Sequence, residues 1–314
     1  MSSSRKLLHR LIRLLMRLEL QLRKSPFWIR LLVEELEGEA RDESEVLQYV
    51  RRERLINEPV TYVDIGARGG LSSSFGAVRE LLHVVLFEPD PNEFTKLRAA
   101  SASENGTTVL PYAIGSIDGE AMLHLTRKRA CSSILEPKGF MSGLFGASVN
   151  GAGREYGDTS RFDVEDRVEV ECATLTTALK NVVEEVDILK IDTQGLELEI
   201  LKCIGNYRPF LINVECSTTD LYKGQGTVFE VGSLLRGFGY FPATLMDRHL
   251  VPSRGGKWRN SIPLHGDCMF VPDGSTLGRQ IITRDPEKWL VSLGIHGLLG
   301  LALWQKAEFS ISLK

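Results

Sequence analysis

LKIDTQGLELEILK, residues 189–202, changes character twice. It is apolar up to Ile191 except for Lys190, then polar through Asp192, Thr193, Gln194 and Gly195. After Gly195, the residues Leu196, Ile200 and Ile204 recur at the spacing of one helical face. A buried strand that breaks at an acid and a glycine and runs straight into a helix is the strand-to-helix corner of an α/β sheet. The corner carries no lysine-bearing phosphate loop, no nucleophilic serine or cysteine elbow and no metal-ligand pair. Whatever chemistry it performs rests on Asp192 and its neighbours.

The same pattern repeats on both sides. VTYVDIG (60–66) and HVVLFEPD (83–90) are apolar runs that end in an acid. Residues 107–114 read as a third strand and 121–126 as an added one. Short strands follow at 168–172, 187–191, 210–216, 240–246 and 267–271. Helical periods fall at 71–80, 91–102, 175–183 and 228–238. Residues 127–165 are rich in Gly, Ser and charge and have no period, and 131–160 reads as a lid. Alternating strands and helices predict a doubly wound, largely parallel sheet with ligands at the carboxyl ends of its strands. Asp64, Glu88, Asp192 and Glu215 all fall at such ends. Each alone can serve as a helix cap. Together they suggest a cationic or hydroxyl-rich ligand.

The ends of the chain differ from this core. Arg5, Lys6, Arg10, Arg13, Arg17, Arg23, Lys24 and Arg30 face a single acid, Glu19, over residues 1–30. Leu7, Leu8, Leu11, Leu14, Leu15 and Leu18 lie on the opposite face of the same helical period, which makes 5–22 a basic amphipathic helix. It docks on an anionic membrane surface, or packs on the protein's own body or a second subunit. Arginines interrupt it too often for a signal peptide. Residues 289–305 hold no formally charged side chain but contain Gly294, Gly297, Gly300 and His296. They form an apolar helical tail suited to a bilayer surface or a homodimer seam, too short and too broken for a confident membrane span. Net charge is −3 over 314 residues, so no nucleic-acid partner is expected. The five cysteines lie in no metal-binding spacing, and an odd number in a long chain fits reduced thiols and a cytoplasmic protein. The division expected is an N-terminal extension over 1–57, a core domain over 58–272 and the tail over 273–314.

The turn after the first strand, DIGARGG (64–70), is GxxGG rather than GxGxxG. A dinucleotide's pyrophosphate needs the full fingerprint and a helix N-terminus. Glu88, at the end of the next strand, suits the ribose hydroxyls of NAD or of S-adenosylmethionine equally. A rim of carboxylates favours a sulfonium cation over phosphates, which points to S-adenosylmethionine.

YVDIGARGG (62–70), LFEPDPNEF (86–94), YAIGSIDG (112–119), DILKIDTQGLELEILK (187–202) and INVECS (212–217) resemble the FkbM family of S-adenosylmethionine-dependent methyltransferases. The resemblance spans about 58–272. It implies a Rossmann-like α/β fold with a seven-stranded, mostly parallel sheet and helices on both faces. The implied activity is O-methyl transfer to a hydroxyl-bearing acceptor such as a sugar, glycolipid or polyketide-like molecule. By motif match Asp64, Gly66 and Gly69 border the methionine part of the cofactor and Glu88 holds its ribose. Asp118 either approaches the adenine amino group or is a surface turn acid. The family often has Asn where this chain has Arg68.

Asp192 would stand beside the transferred methyl group, and Thr193 or Gln194 would cap the helix or touch the acceptor. Glu197 matches a recurrent acid of the family motif, but with Glu199 it reads as a solvated helix face. Hydroxyl methylation wants a base within hydrogen-bond reach. Asp192 leads the candidates, followed by Glu215, His265 and His249. A divalent metal between Asp192 and Glu215 is conceivable, but no spacing demands one. Tyr222 and Lys223 would contact the acceptor by stacking on a sugar and meeting an acidic group, or would form a plain turn. The rival readings are an NAD-dependent oxidoreductase and a non-catalytic membrane-associated scaffold.

Overall fold

Five parallel strands make the centre of the sheet, four of them the acid-tipped runs of the sequence. In the computed structural model, which describes residues 56–139, 149–150, 159–245, 249–252 and 261–312, these are β1 (Val60–Ile65), β2 (Leu82–Phe87), β3 (Thr107–Leu110), β8 (Ile188–Ile191) and β9 (Leu211–Ser217). Between them in sequence lie β4 (Ala113–Gly115), β5 (Gly119–Thr126), β6 (Val149–Asn150) and β7 (Val164–Thr174). After β9 come β10 (Tyr240–Thr244), β11 (His249–Pro252) and β12 (Ser261–Pro272). The amphipathic segment 5–22 and most of the expected lid fall outside the described residues.

The main sheet runs β3-β2-β1-β8-β9-β12, with β10 antiparallel to the last half of β12. These seven strands form the mostly parallel Rossmann-like sheet that the motifs imply. β11 and then β6 extend it from the first half of β12. A second sheet, β4-β7-β5, carries the added strand expected at 121–126. Every residue of β1 is buried, as befits a central strand covered on both faces.

The covering helices follow local chemistry. α1 (Pro91–Ser101) starts with Asp90 accepting from Asn92 N and with proline in its first turn. α4 (Val228–Gly237) begins with a Thr227–Glu230 capping box. Between them lie α2 (Leu175–Leu179) and α3 (Glu197–Lys202). The helix expected at 71–80 is instead a 3₁₀ segment, Ser73–Leu81. Its Ser-Ser-Phe-Gly start has low helix propensity, and Ser72 diverts the first amide by accepting from Ser74 N.

The tail is part of the core. α5 (Thr276–Arg284), α6 (Pro286–Gly294) and α7 (Leu299–Glu308) bury Ile282, Trp289, Leu290, Leu293 and Ala302 in the same apolar cluster as the sheet. The apolar stretch 289–305 is therefore two short helices broken near Gly297. No helix among the described residues is long and apolar enough to cross a membrane.

Asp187, wholly buried just before β8, fastens this tail. It accepts from Thr61 N at 2.9 Å and from Arg284 and Lys288 at 3.3 Å each. Removing the carboxylate leaves one backbone donor and two cations without their acceptor. Asp187→Ala should cost roughly 2–3 kcal/mol by urea denaturation. A loss near zero would show that solvent replaces the carboxylate.

Candidate active site

The ends of β1 and β8 meet in backbone contact. A side chain at Gly66 would place its Cβ 2.0 Å from the carbonyl oxygen of Asp192, and Gly66 has φ 86°, so only glycine fits. Asp192 N donates to Ile65 O at 2.9 Å, while Gly66 N and Ala67 N both reach Phe87 O. The chain then turns through two left-handed residues, Gln194 at φ 59° and Gly195 at φ 121°. That reversal aims the Asp192 and Gln194 side chains at one opening and sends the backbone into α3.

Glu197 holds this corner from below, contrary to the solvated face expected for it. It is 3% exposed. Its Oε1 accepts from Thr193 N and Thr193 Oγ1 at 3.0 Å and from Gly195 N at 2.9 Å. Three donors across the turn draw the side chain inward, a contact that helical periodicity does not report. Glu199 fits the expectation, pairing with Lys202 at the surface.

The opening is a cavity of about 180 Å³. Its floor is Ile65, Gly66, Glu88, Lys190, Asp192 and Thr193, and Arg68 and Gln194 stand at its sides. Residues 129–134 and Tyr112 through Ile114 complete the wall. Glu88 is 4% exposed. One of its oxygens accepts from Asp90 N at 2.9 Å, and the other has no hydrogen-bond partner among the described residues. Arg68, given no role from sequence, ion-pairs with Asp90 at 2.6 Å and lies 3.8 Å from Glu88.

Lys190 was missed by sequence reasoning. It faces Asp64 across the parallel register and donates to Asp64 Oδ1 at 2.8 Å. The available signal was a lone lysine in an otherwise apolar strand. Asp64 is buried and reaches the cavity through this lysine.

The other sequence candidates separate. Thr193 and Gln194 line the cavity. Glu215 sits behind them, accepting from Gln194 Nε2, with His265 Nδ1 3.3 Å from its other oxygen. His249 lies opposite His265 in the β11–β12 register. Four candidates lie outside the roles expected of them in the site, Asp118 and Lys223 by falling on their surface alternatives. Gly69 is not among the cavity residues; its amide donates to Glu93 at 3.2 Å. Asp118 is the surface acid rather than an adenine ligand, both oxygens being taken by Thr174 N at 2.6 Å and Thr177 Oγ1 at 2.9 Å. Tyr222 presents no ring face to a sugar, because it is 1% exposed and packed against Gly195 and Phe162. Lys223 is exposed and paired with Glu136 at 2.6 Å, away from the cavity.

The local charges shift one another. Burial pushes the Glu88 carboxyl up to about 7, although Arg68 and the Asp90 amide oppose it. Burial also raises Asp64, against the pull of Lys190. Glu215 is held well above the usual carboxylate range by burial and by Asp192 and Asp267. For Lys190 burial works against the charge, but Asp64 and Asp192 outweigh it and keep the ammonium charged. The Gln194 amide, not a ligand cluster, bridges Asp192 and Glu215. Among the described residues no group of three or more His, Cys, Asp or Glu could hold a metal ion.

Residues 64–242, more than half of the chain, match the family model of the methyltransferase FkbM domain. The chain belongs to the FkbM methyltransferase family. Its cofactor is S-adenosylmethionine, which decides against the NAD reading. The cavity's residues fit that group: Glu88 keeps one free carboxylate oxygen for a ribose, and Glu88, Asp90 and Asp192 bring carboxylates to the lining beside Arg68, Arg129 and Lys190. No curated protein sequence matches the chain. Among solved structures it is similar to 1,6-didemethyltoxoflavin-N1-methyltransferase of Burkholderia thailandensis, a complex with 1,6-didemethyltoxoflavin and S-adenosylhomocysteine. Identity is 12%, coverage is 88% of this chain and 92% of that one, and the TM-score of 0.32 is too low to carry an argument.

Burial pushes the Glu197 carboxyl from 4.5 up to about 7 despite the Gly195 amide. The folded protein therefore holds a proton there that the unfolded chain releases, and this contribution to stability is lost as pH rises from 4.5 to 7. Relative to Glu197→Gln, which cannot ionise, wild type should lose up to about 3 kcal/mol across that window. Parallel denaturation curves at several pH values would check it, and a constant difference would contradict a raised Glu197.

Proposed function

We propose that this methyltransferase acts on a hydroxyl group of a glycan, lipid-linked sugar or similar small-molecule acceptor, with Asp192 as the base. The observation that carries the reading is Asp192 itself, a carboxylate on the cavity floor at the end of β8, fixed by backbone contact with the cofactor turn. A hydroxyl is a poor nucleophile until its proton has somewhere to go. When bound, S-adenosylmethionine would supply a methyl group on a sulfonium, the carbon–sulfur electron pair leaving with the thioether sulfur as the acceptor oxygen bonds to carbon. Asp192 takes the hydroxyl proton. Glu88 holds the ribose through its free oxygen, and Lys190 balances Asp64 and Asp192 without neutralising the rim. Holding these groups in place lowers the barrier through positioning.

Incubating a cell extract with the protein and isotopically methyl-labelled S-adenosylmethionine should place label on an oxygen of a sugar-bearing or related small molecule, read by mass spectrometry. Asp192→Asn should keep its affinity for S-adenosylhomocysteine and lose roughly 10²–10⁴-fold in turnover. Label found on nitrogen, or undiminished turnover in the variant, would overturn the assignment.

Glu88 makes cofactor binding depend on pH. Ribose hydroxyls donate to the carboxylate, so they favour its ionised form. With the carboxyl at about 7, affinity for S-adenosylhomocysteine should rise about tenfold from about pH 6 to about pH 8. Calorimetry should find this slope flattened in Glu88→Gln. Equal slopes in both proteins would remove Glu88 from the ribose site.

A further inference from the structure

We propose that Tyr222 is a positioning residue whose hydroxyl sets the facing of the Gln194 amide and, through it, lets the Asp192–Glu215 carboxyl pair take up a proton. The proposal rests on Asp192 being the base.

Gln194 stands in the left-handed region at φ 59°, a backbone strain that a side-chain role can explain. Its Nε2 donates to Asp192 Oδ1 at 2.9 Å and to Glu215 Oε2, and its Oε1 accepts from the Tyr222 hydroxyl at 2.9 Å. Both amide hydrogens are then committed to carboxyl oxygens. A proton on either of those oxygens would collide with an N–H.

The phenol supplies the alternative. It has one proton and faces two acceptors, Gln194 Oε1 at 2.9 Å and Cys131 O at 2.8 Å. When the proton turns to Cys131, the amide is free to rotate by half a turn. Nε2 then donates to the phenol oxygen, and Oε1 faces the carboxyl pair, ready to accept the pair's new proton. The amide and phenol take part in three hydrogen bonds in either arrangement, so the count does not fall on proton uptake: the turned amide frees one N–H and one carboxyl oxygen, while the Cys131 carbonyl gains its donor. The proton gained by the pair is the one lost by the acceptor hydroxyl, or by water when no acceptor is bound.

Without the phenol the balance is lost. Phenylalanine at 222 leaves the first arrangement two hydrogen bonds and the turned one a single bond, so protonation of the pair is disfavoured. The other groups facing the pair are Asp64 on β1, Lys190 on β8, Asp267 and His265 on β12, Glu197 on α3, and the buried Cys131 with Arg161 beside it. Burial and the neighbouring acids raise Glu215 well above the usual carboxylate range.

The test is NMR on the full chain with ¹⁵N-labelled glutamine and ¹³C-labelled Asp and Glu carboxyls, with and without S-adenosylhomocysteine. Signals are assigned by their loss in Gln194→Glu and Glu215→Gln. In wild type the Gln194 amide signals should shift with the same pH midpoint as the Asp192–Glu215 carboxyls. Tyr222→Phe should lower that midpoint by about one pH unit, the worth of one hydrogen bond. Amide signals that stay flat through the carboxyl titration would overturn the proposal. So would an unmoved midpoint in a Tyr222→Phe protein with wild-type circular dichroism. If that variant does not fold, the wild-type co-titration decides alone. Failure of wild type to bind S-adenosylhomocysteine would count against the function proposed above and leave the amide titration to stand or fall by itself.

Discussion

The contact on which the site depends is between two stretches of backbone. Gly66 lies so close to the Asp192 carbonyl that no Cβ can stand between them. The closeness sets β1 beside β8 in parallel register, puts Asp64 opposite Lys190 and brings Asp192 to the mouth of the cofactor turn. Side chains then occupy places that the backbone has already decided. Such a corner tolerates little change, because the turn after Asp192 is itself left-handed twice over and is held by Glu197 from inside.

Around that corner the protein gathers more negative groups than it can comfortably ionise. Asp64, Glu88, Glu197 and Glu215 are all raised by burial, while Arg68, Arg129 and Lys190 bring positive charge to the cavity lining. Desolvating carboxylates in this way costs stability, and it is offset only where a proton, a cation or a backbone amide sits beside each one. The arrangement makes sense as preorganisation: the acids are already stripped of water and oriented before a cationic cofactor arrives. Glu88 and Asp192 both reach the cavity; Glu88 is given to the ribose, and Asp192, at the end of β8, carries the proposed chemistry.

The outer parts of the fold serve this floor. The second sheet and residues 129–134 close the cavity from above, and Ser133 Oγ reaches the Thr193 carbonyl at 3.4 Å. Tyr222 links that wall to Gln194 through its hydroxyl. At the opposite edge of the sheet Asp187 ties the last helices to β1, so the tail braces the strands whose far ends bear the site. Wall and brace both come from segments distant in sequence from the residues they hold.

Apolar runs ending in Asp64, Glu88, Asp192 and Glu215 could be read directly, because a buried strand and its polar end are neighbours along the chain. The same locality made the glycine turn, the parallel α/β sheet and the FkbM resemblance legible. Lys190 as partner of Asp64, Glu197 as an inward cap, Asp118 as a surface cap and Tyr222 as a buried support were decided only by tertiary contacts. The Asp64–Lys190 and Tyr222–Cys131 pairs are 126 and 91 residues apart. Periodicity records which face of an element is apolar, and a polar side chain on that face keeps its meaning hidden until the fold supplies its partner.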